Sequence, residues 1–408
     1  MLDISRLDRS NSSEIDLAGA EFKANAREHL AQWARRPPFY VFNQGPPQVI
    51  AGRYADVREI FEDAERFSSA LPTGPGYEQY DKFMGSRFVT QMDGEQHGRL
   101  RRLLMPAFSM KRMAQIEEHI TAIIESMLDN IERGGRQFDG MTQYAAQLVV
   151  GVLLTAMLNL DAAQRKILLE FQELQPVITS LKPGQPYPRE CLIAYQRACD
   201  LVKHVIADRR RRPRSDFLGD LVEACDAGDR LSDTELFDQI FGLFGAIATT
   251  PRSASGALLL LYTHDSQRRE LIGDPGLIPE ALEECLRMAG NGYFTFPRFA
   301  TRDTEVGGVA IPKGMVVRAS PQAANYDPEV FANPLQFDIH RHPKRIMTFG
   351  AGPHHCVGNL LGRMALLLAI RGMLRRFPDA RLADPAFQPV YGGAAGELRM
   401  KSLPMLTH

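Results

Sequence analysis

The stretch Phe349-Gly350-Ala351-Gly352-Pro353-His354-His355-Cys356-Val357-Gly358 carries one cysteine on a glycine-rich loop, and the apolar segment 359–371 directly after it reads as a helix. Gly350 and Gly352 let the backbone turn and approach a large flat ligand without Cβ clashes, and Gly358 continues that approach on the far side. A cysteine near a helix N-terminus meets unpaired N–H groups and the positive end of the helix dipole, so a thiolate is the species expected at Cys356. The bland alternative is a buried, inert cysteine in a core loop.

Further from the loop, Ser232-Asp-Thr-Glu235 is a capping box, and the apolar run 236–244 follows it as a buried helix should. Inside the same pattern lies Gly245-Ala246-Ile247-Ala248-Thr249-Thr250-Pro251, whose small residues leave room for a ligand against the helix. Pro251 cannot donate to the carbonyl of Ile247, so the ladder opens there, and a hydroxyl beside an open ladder can hold water and protons. Glu284 and Arg287 stand three apart, on one helix face, and His97 and Arg101 stand one helical turn apart. Taken alone, each of these pairs also fits an ordinary solvated helix surface.

The 408 residues, 44% hydrophobic and 24% charged, suffice to bury a large core. A net charge of −1 leaves no nucleic-acid footprint. Cys191, Cys199, Cys225, Cys285 and Cys356 are odd in number and contain no Cys-x-x-Cys pair, which argues against a disulfide framework and a structural zinc site. Residues 1–28 mix charges throughout and hold no apolar stretch of signal-peptide or anchor length, so a soluble cytoplasmic chain is expected. Helical spacing runs through 114–132, 144–159, 236–263 and 362–376, strand-like runs occupy 47–51 and 315–319, and 306–314 reads as a small hairpin. The expectation is a single domain over 1–408, mainly α with a minor β part.

The loop resembles the Phe-Gly-x-Gly-x-His-x-Cys-x-Gly signature of the cytochrome P-450 family of haem-thiolate monooxygenases, with every fixed position filled. The resemblance implies haem b (iron protoporphyrin IX) as cofactor and Cys356 as its proximal iron ligand, whose electron push favours O–O cleavage. It implies a long central distal helix over the haem and the cysteine-ligand loop before a proximal helix. His97, Arg101, Arg298 and His354 match positions that hold the haem propionates. Phe349, Gly350, Gly358, Gly245 and Ala246 match positions that line the cofactor, and Glu284, Arg287 and Arg341 match a structural triad supporting the haem loop.

In the same family Thr249, with Thr250 beside it, matches the threonine that hydrogen-bonds dioxygen and helps deliver protons. This chain departs from the pattern at Ala248, where the usual residue is an acid, and more mildly at Gly245-Ala246, where the usual order is reversed. Phe244, Ile247, Ala248, Phe294, Phe296, Val390 and Tyr391, with the stretches 71–88 and 175–188, are the pocket candidates, and they suggest a neutral hydrophobic organic substrate. Arg87 offers the alternative of a substrate carboxylate.

Arg102, Lys111, Arg112, Lys344, Arg345 and Arg363 fall in segments that the family folds around the cysteine side of the haem, where an acidic electron-transfer protein docks. The resemblance thus implies a monomeric hydroxylase that takes O2 and two electrons from a [2Fe-2S] ferredoxin or a flavodoxin-type donor. A peroxide-using enzyme or an oxygen-independent rearrangement enzyme fits the missing acid at Ala248. A zinc-binding protein using His354, His355 and Cys356 is the remaining alternative.

Overall fold

Gln48–Ala51 is buried along its whole length, as a strand covered on both faces must be. The computed structural model places it second in a five-stranded sheet and describes residues 7–70, 88–180, 185–214, 216–226, 231–246, 249–290, 292–393 and 396–408. The sheet order is Phe39–Val41, Gln48–Ala51, Val316–Ala319, Arg298–Ala300, Phe67–Ser68. Only the pairing of Gln48–Ala51 with Val316–Ala319 is parallel. Val49, Ala51 and Val317 join Val57, Ile60 and Phe61 of the helix Tyr54–Glu62 in one apolar core. The expected hairpin forms from Thr304–Val306 and Val309–Ile311, with Val306 opposite Val309 across Gly307 and Gly308.

The chain divides into two compact units, one of residues 1–69, 125–146 and 251–408, the other of residues 70–124 and 147–250. All strands among the described residues belong to the first unit. That unit also holds the helices Ile278–Met288 and Asn359–Arg376, which pack against each other. Pro279 opens the first of these, at a position where the missing N–H is no loss. The second ends in Arg375 and Arg376, cations that suit its negative terminus.

The second unit is built from helices, among them Gly94–Leu104, Ala162–Ser180, Arg189–Arg211 and Asp233–Ala246. Phe171, Tyr195 and Phe241 interlock there with ring centroids 5.5–5.9 Å apart, within the range of favourable aromatic pairs. The capping box forms as its residues dictate: Glu235 N–H donates to Ser232 Oγ at 3.2 Å, and Ser232 N–H donates to Glu235 Oε2 at 2.8 Å.

Within the run 236–263 the described helices are Asp233–Ala246 and Thr250–Thr263, residues 247 and 248 lying outside the described residues. Pro251 stands in the first turn of the second, where its missing N–H is tolerated. One helical expectation changes in detail. The run 144–159 is wound partly as π-helix, over Gly140–Ala145 and Val150–Met157, on either side of the α-helical turn Ala146–Val149. Among the described residues Gly140–Met157 is the one helical stretch with the length and mean hydropathy, 1.3, of a membrane span, and half of it is buried in the protein.

Candidate active site

The cysteine loop is held by its own backbone. Cys356 N–H donates to the Phe349 carbonyl at 2.9 Å, Gly350 N–H to Met347 at 2.8 Å, and the Asn359 side chain closes the helix start by donating to the Cys356 carbonyl at 2.9 Å. Cys356 lies three residues ahead of the helix Asn359–Arg376. Gly352 adopts φ +66°, and a Cβ there would stand 2.4 Å from the Phe61 carbonyl oxygen, so only glycine lets the loop run this close to the helix Tyr54–Glu62. Gly350, at φ +70°, has no protein atom within 4 Å of the place a Cβ would take, which leaves that side of the loop open to a flat group.

Cysteine exposure separates the candidates. Cys191, Cys199 and Cys285 are buried and Cys356 is exposed. Burial pushes the thiol pKa of the first three up, so they stay protonated and inert. Cys356 alone of these four combines access with a helix N-terminus.

Beside the loop lies an ion network centred on a wholly buried pair. Arg287 grips Glu284 with two hydrogen bonds of 2.7 Å, both side chains being wholly inaccessible, and Arg341 Nε reaches the same carboxylate at 3.0 Å. Arg287 Nη1 also donates to the Asn325 and Pro334 carbonyls, each at 2.8 Å. Asn325 carries the network to the loop: its Oδ1 accepts Met347 N–H at 2.7 Å, and its Nδ2 donates to Thr348 Oγ1 at 2.9 Å. Thr348 in turn donates to the Leu286 carbonyl at 2.7 Å. A buried carboxylate with this many donors is compensated, whereas removal of one partner leaves a charge stranded at a cost of about 3–5 kcal/mol. Sequence reading missed Asn325; the signal, a polar residue after the short helix Pro321–Ala324 capped by Ser320, is too short to distinguish a buried hub from a loop.

A second support touches the loop at Phe349. The Arg363 guanidinium lies 4.3 Å from the centroid of the Phe349 ring, and Glu283 holds it as a fork, with Oε1 at 2.6 Å from Nε and Oε2 at 3.0 Å from Nη2. Such a cation over an aromatic face contributes about 0.5–2 kcal/mol, depending on how dry it is. Arg363 is therefore engaged in the loop's support while keeping 31% of its side chain accessible. Arg112 likewise pairs with Asp220, while Arg102, Lys111, Lys344 and Arg345 are exposed.

The remaining candidates divide between the two units. In the first, Arg298 is buried on its strand, with its guanidinium 5.5 Å from the Phe61 ring and Nη1 donating to the Phe296 carbonyl at 3.3 Å. His354 ends a single turn, Gly352–His354, and is half-buried. In the second, His97 is buried on Gly94–Leu104 and Arg101 is half-buried one turn on, whereas Arg99 of that helix pairs with Glu235. Thr249 directly precedes the helix Thr250–Thr263, and Thr249 and Thr250 are both half-buried. Gly245 and Ala246 close Asp233–Ala246; the side chains of 244–246, and Ile247, Ala248, Arg87 and the stretch 71–87, lie outside the described residues.

Of the pocket candidates in the first unit, Phe294 is committed to an aromatic cluster: it stacks on Trp33 at 5.6 Å, with the Arg318 guanidinium 5.9 Å from its ring. Phe296 and Val390 are exposed at 40% and 60%, and burial pushes the half-buried Tyr391 hydroxyl up to about 12. The tip after Tyr391 is anchored by Glu397, whose Oε1 lies 2.7 Å from Arg252 Nη2, one residue after Pro251, and by Tyr293 N–H, which donates to the Gly396 carbonyl at 3.0 Å. This anchor joins residues 145 apart and has no local sequence signal.

An accessible cysteine on a glycine loop open on one side, ahead of a helix and backed by a buried Glu–Arg–Arg network, is the donor set of a haem-thiolate enzyme and fits that group. The family model described as Cytochrome P450 matches residues 22–272 and 276–380. The chain is 34% identical over 353 residues to a steroid C26-monooxygenase of Mycobacterium tuberculosis, covering 86% of this chain and 92% of that protein. It is 32% identical over 355 residues to the mycinamicin IV hydroxylase/epoxidase of Micromonospora griseorubida, covering 86% of each. The crystal structure of epothilone D-bound cytochrome P450epoK superposes with a TM-score of 0.85 at 26% identity, over 97% of this chain and 99% of that one. The chain belongs to the cytochrome P450 family: it is a monooxygenase of the bacterial type, an oxidoreductase whose cofactor is haem b.

Proposed function

We propose that the two units act as one catalytic domain over 1–408, which inserts one atom of O2 into a neutral, hydrophobic small molecule and takes two electrons from a separate [2Fe-2S] ferredoxin or flavodoxin-type protein. The accessible Cys356, held on its loop at a helix N-terminus, carries this reading. Haem bound there supplies the oxygen binding and one-electron chemistry that side chains lack. Cys356 ligates the iron as thiolate, Phe349, Gly350, Gly358, Gly245 and Ala246 line the group, and His97, Arg101, Arg298 and His354 pair with its propionates. The triad Glu284, Arg287 and Arg341 keeps the loop in register.

Thr249 and Thr250 hold and pass protons with ordered water near Pro251, whose missing N–H leaves a carbonyl free, because an alanine methyl at 248 can neither donate a proton nor anchor water. Mycinamicin- and steroid-directed names among the relatives support a hydrophobic organic substrate, met by Phe244, Ile247, Ala248, Phe296, Val390 and Tyr391. The protein works as a monomer in the cytoplasm.

The test begins with colour. The reduced carbon-monoxide complex should show the red-shifted Soret band of thiolate-ligated haem, and Cys356→His should abolish it. With a matched ferredoxin system, Thr249→Ala should send most NAD(P)H electrons to hydrogen peroxide, roughly a tenfold or greater loss of product per electron, as expected when a proton-transfer group is removed. Unchanged coupling in Thr249→Ala, together with faster turnover on peroxide than on the electron-transfer chain, overturns the monooxygenase mechanism in favour of a peroxygenase.

A further inference from the structure

The Glu283 carboxylate, the Arg363 guanidinium and the Phe349 ring form a layered stack whose last member belongs to the cysteine loop. Phe349 is tied to the cysteine by the shortest available route, since its carbonyl accepts the Cys356 N–H at 2.9 Å. Arg363 also shares the helix that follows Cys356, and its Nη1 donates to Asn359 Oδ1 at 3.3 Å, while Asn359 caps the Cys356 carbonyl. Glu283 comes from Ile278–Met288, the helix that carries the buried Glu284–Arg287 pair, so adjacent carboxylates on one helix brace the loop from two directions.

The two braces differ in charge environment. Glu284 and Arg287 are sealed from solvent, whereas Arg363 and Glu283 keep 31% and 28% of their side chains accessible. A fork of opposite charges largely cancels at a distance, but either charge alone acts on its surroundings, and a partly buried site is screened only in part by salt. Reduction of the cysteine-ligated centre adds one electron with no proton, so a nearby cation favours the reduced form and a nearby anion opposes it.

We propose that Glu283 and Arg363 are positioning residues that set the charge felt at Cys356 through Phe349, and with it the reduction potential of the bound haem. The proposal rests on Cys356 being the haem ligand. The electron enters from the external donor of the proposed function, and the pair acts only on how readily it is accepted. Because the two residues carry opposite charges, removing them singly must shift the potential in opposite directions.

The experiment is a spectroelectrochemical titration of the haem-loaded protein, with the reduced carbon-monoxide spectrum recorded for each variant. Glu283→Gln leaves the cation uncompensated and is expected to raise the midpoint potential. Arg363→Gln leaves the carboxylate and is expected to lower it, and the double variant is expected to return close to the unmodified value. Should Arg363→Gln fail to retain haem, Arg363→Lys keeps the charge and is expected to hold the potential near the unmodified value while Glu283→Gln still raises it. Shifts of the same sign in the single glutamine variants, or no shift in Glu283→Gln, overturn the proposal and leave the stack a packing feature. Absence of the thiolate band in the unmodified protein is a different failure, that of the proposed function itself.

Discussion

Two arginine–carboxylate clusters in the same unit make opposite use of one chemistry. Arg287 and Glu284 are wholly buried, and through Asn325 their hydrogen bonds reach Met347 and Thr348, just ahead of the cysteine loop. Arg376 sits among Glu125, Asp129 and Glu132, at 2.8–3.0 Å from each, at the end of the helix Asn359–Arg376. Its side chain is 26% exposed and its carboxylates are 31–59% exposed. Three carboxylates hold its pKa above the ordinary arginine value, yet solvent screens each contact. The number of partners thus says little; burial decides whether an ion pair is part of the architecture or an ornament of the surface.

The sharpest way to break the comparison is to remove one charge from each cluster. Arg287→Leu should destabilise the protein by about 3–5 kcal/mol and lower haem retention, because Glu284 is then stranded without water. Arg376→Ala should cost under about 1 kcal/mol and leave the haem spectrum untouched. Urea midpoints and haem content on the same preparations measure both. Equal losses in the two variants would show that burial is not what distinguishes the clusters.

A smaller effect comes from the surface cluster at Asp265, whose carboxyl accepts hydrogen bonds from Arg268 at 2.5 Å and Arg269 at 2.7 Å. These bonds hold its pKa below the ordinary value of 3.8. A depressed folded-state pKa stabilises the fold above 3.8 and loses that contribution as pH falls through the folded value. The stability gap between the unmodified protein and Asp265→Asn should therefore be present at pH 6 and close below pH 3.8. Thermal melts across that range would expose the opposite trend. With the Asp265 side chain 56% exposed, the gap should also shrink in added salt.

What could be read without a structure follows the range of the interaction. The cysteine loop, the capping box Ser232–Glu235 and the Glu284–Arg287 spacing are local patterns, and each appears in the fold as a local contact. Asn325, the Glu283–Arg363 fork and the Arg252–Glu397 anchor have no such pattern. Their partners are 22, 80 and 145 positions away, and at those separations any glutamate and arginine look alike. Phe294 likewise belongs to a cluster with Trp33 that only folding assembles.

By itself, therefore, the sequence determined that this protein has a mainly helical fold with a small β part, a cysteine on a glycine loop ahead of a helix, and a proline that removes one backbone donor just after Thr249 and Thr250. These depend on periodicity, glycine conformation and the missing N–H of Pro251, all properties of neighbouring residues. The tertiary structure alone decided which cations are spent internally, which cysteines are shielded, and which polar residues carry the loop. Those outcomes depend on burial, and burial is set by packing between elements far apart in the chain, which no short stretch of sequence encodes.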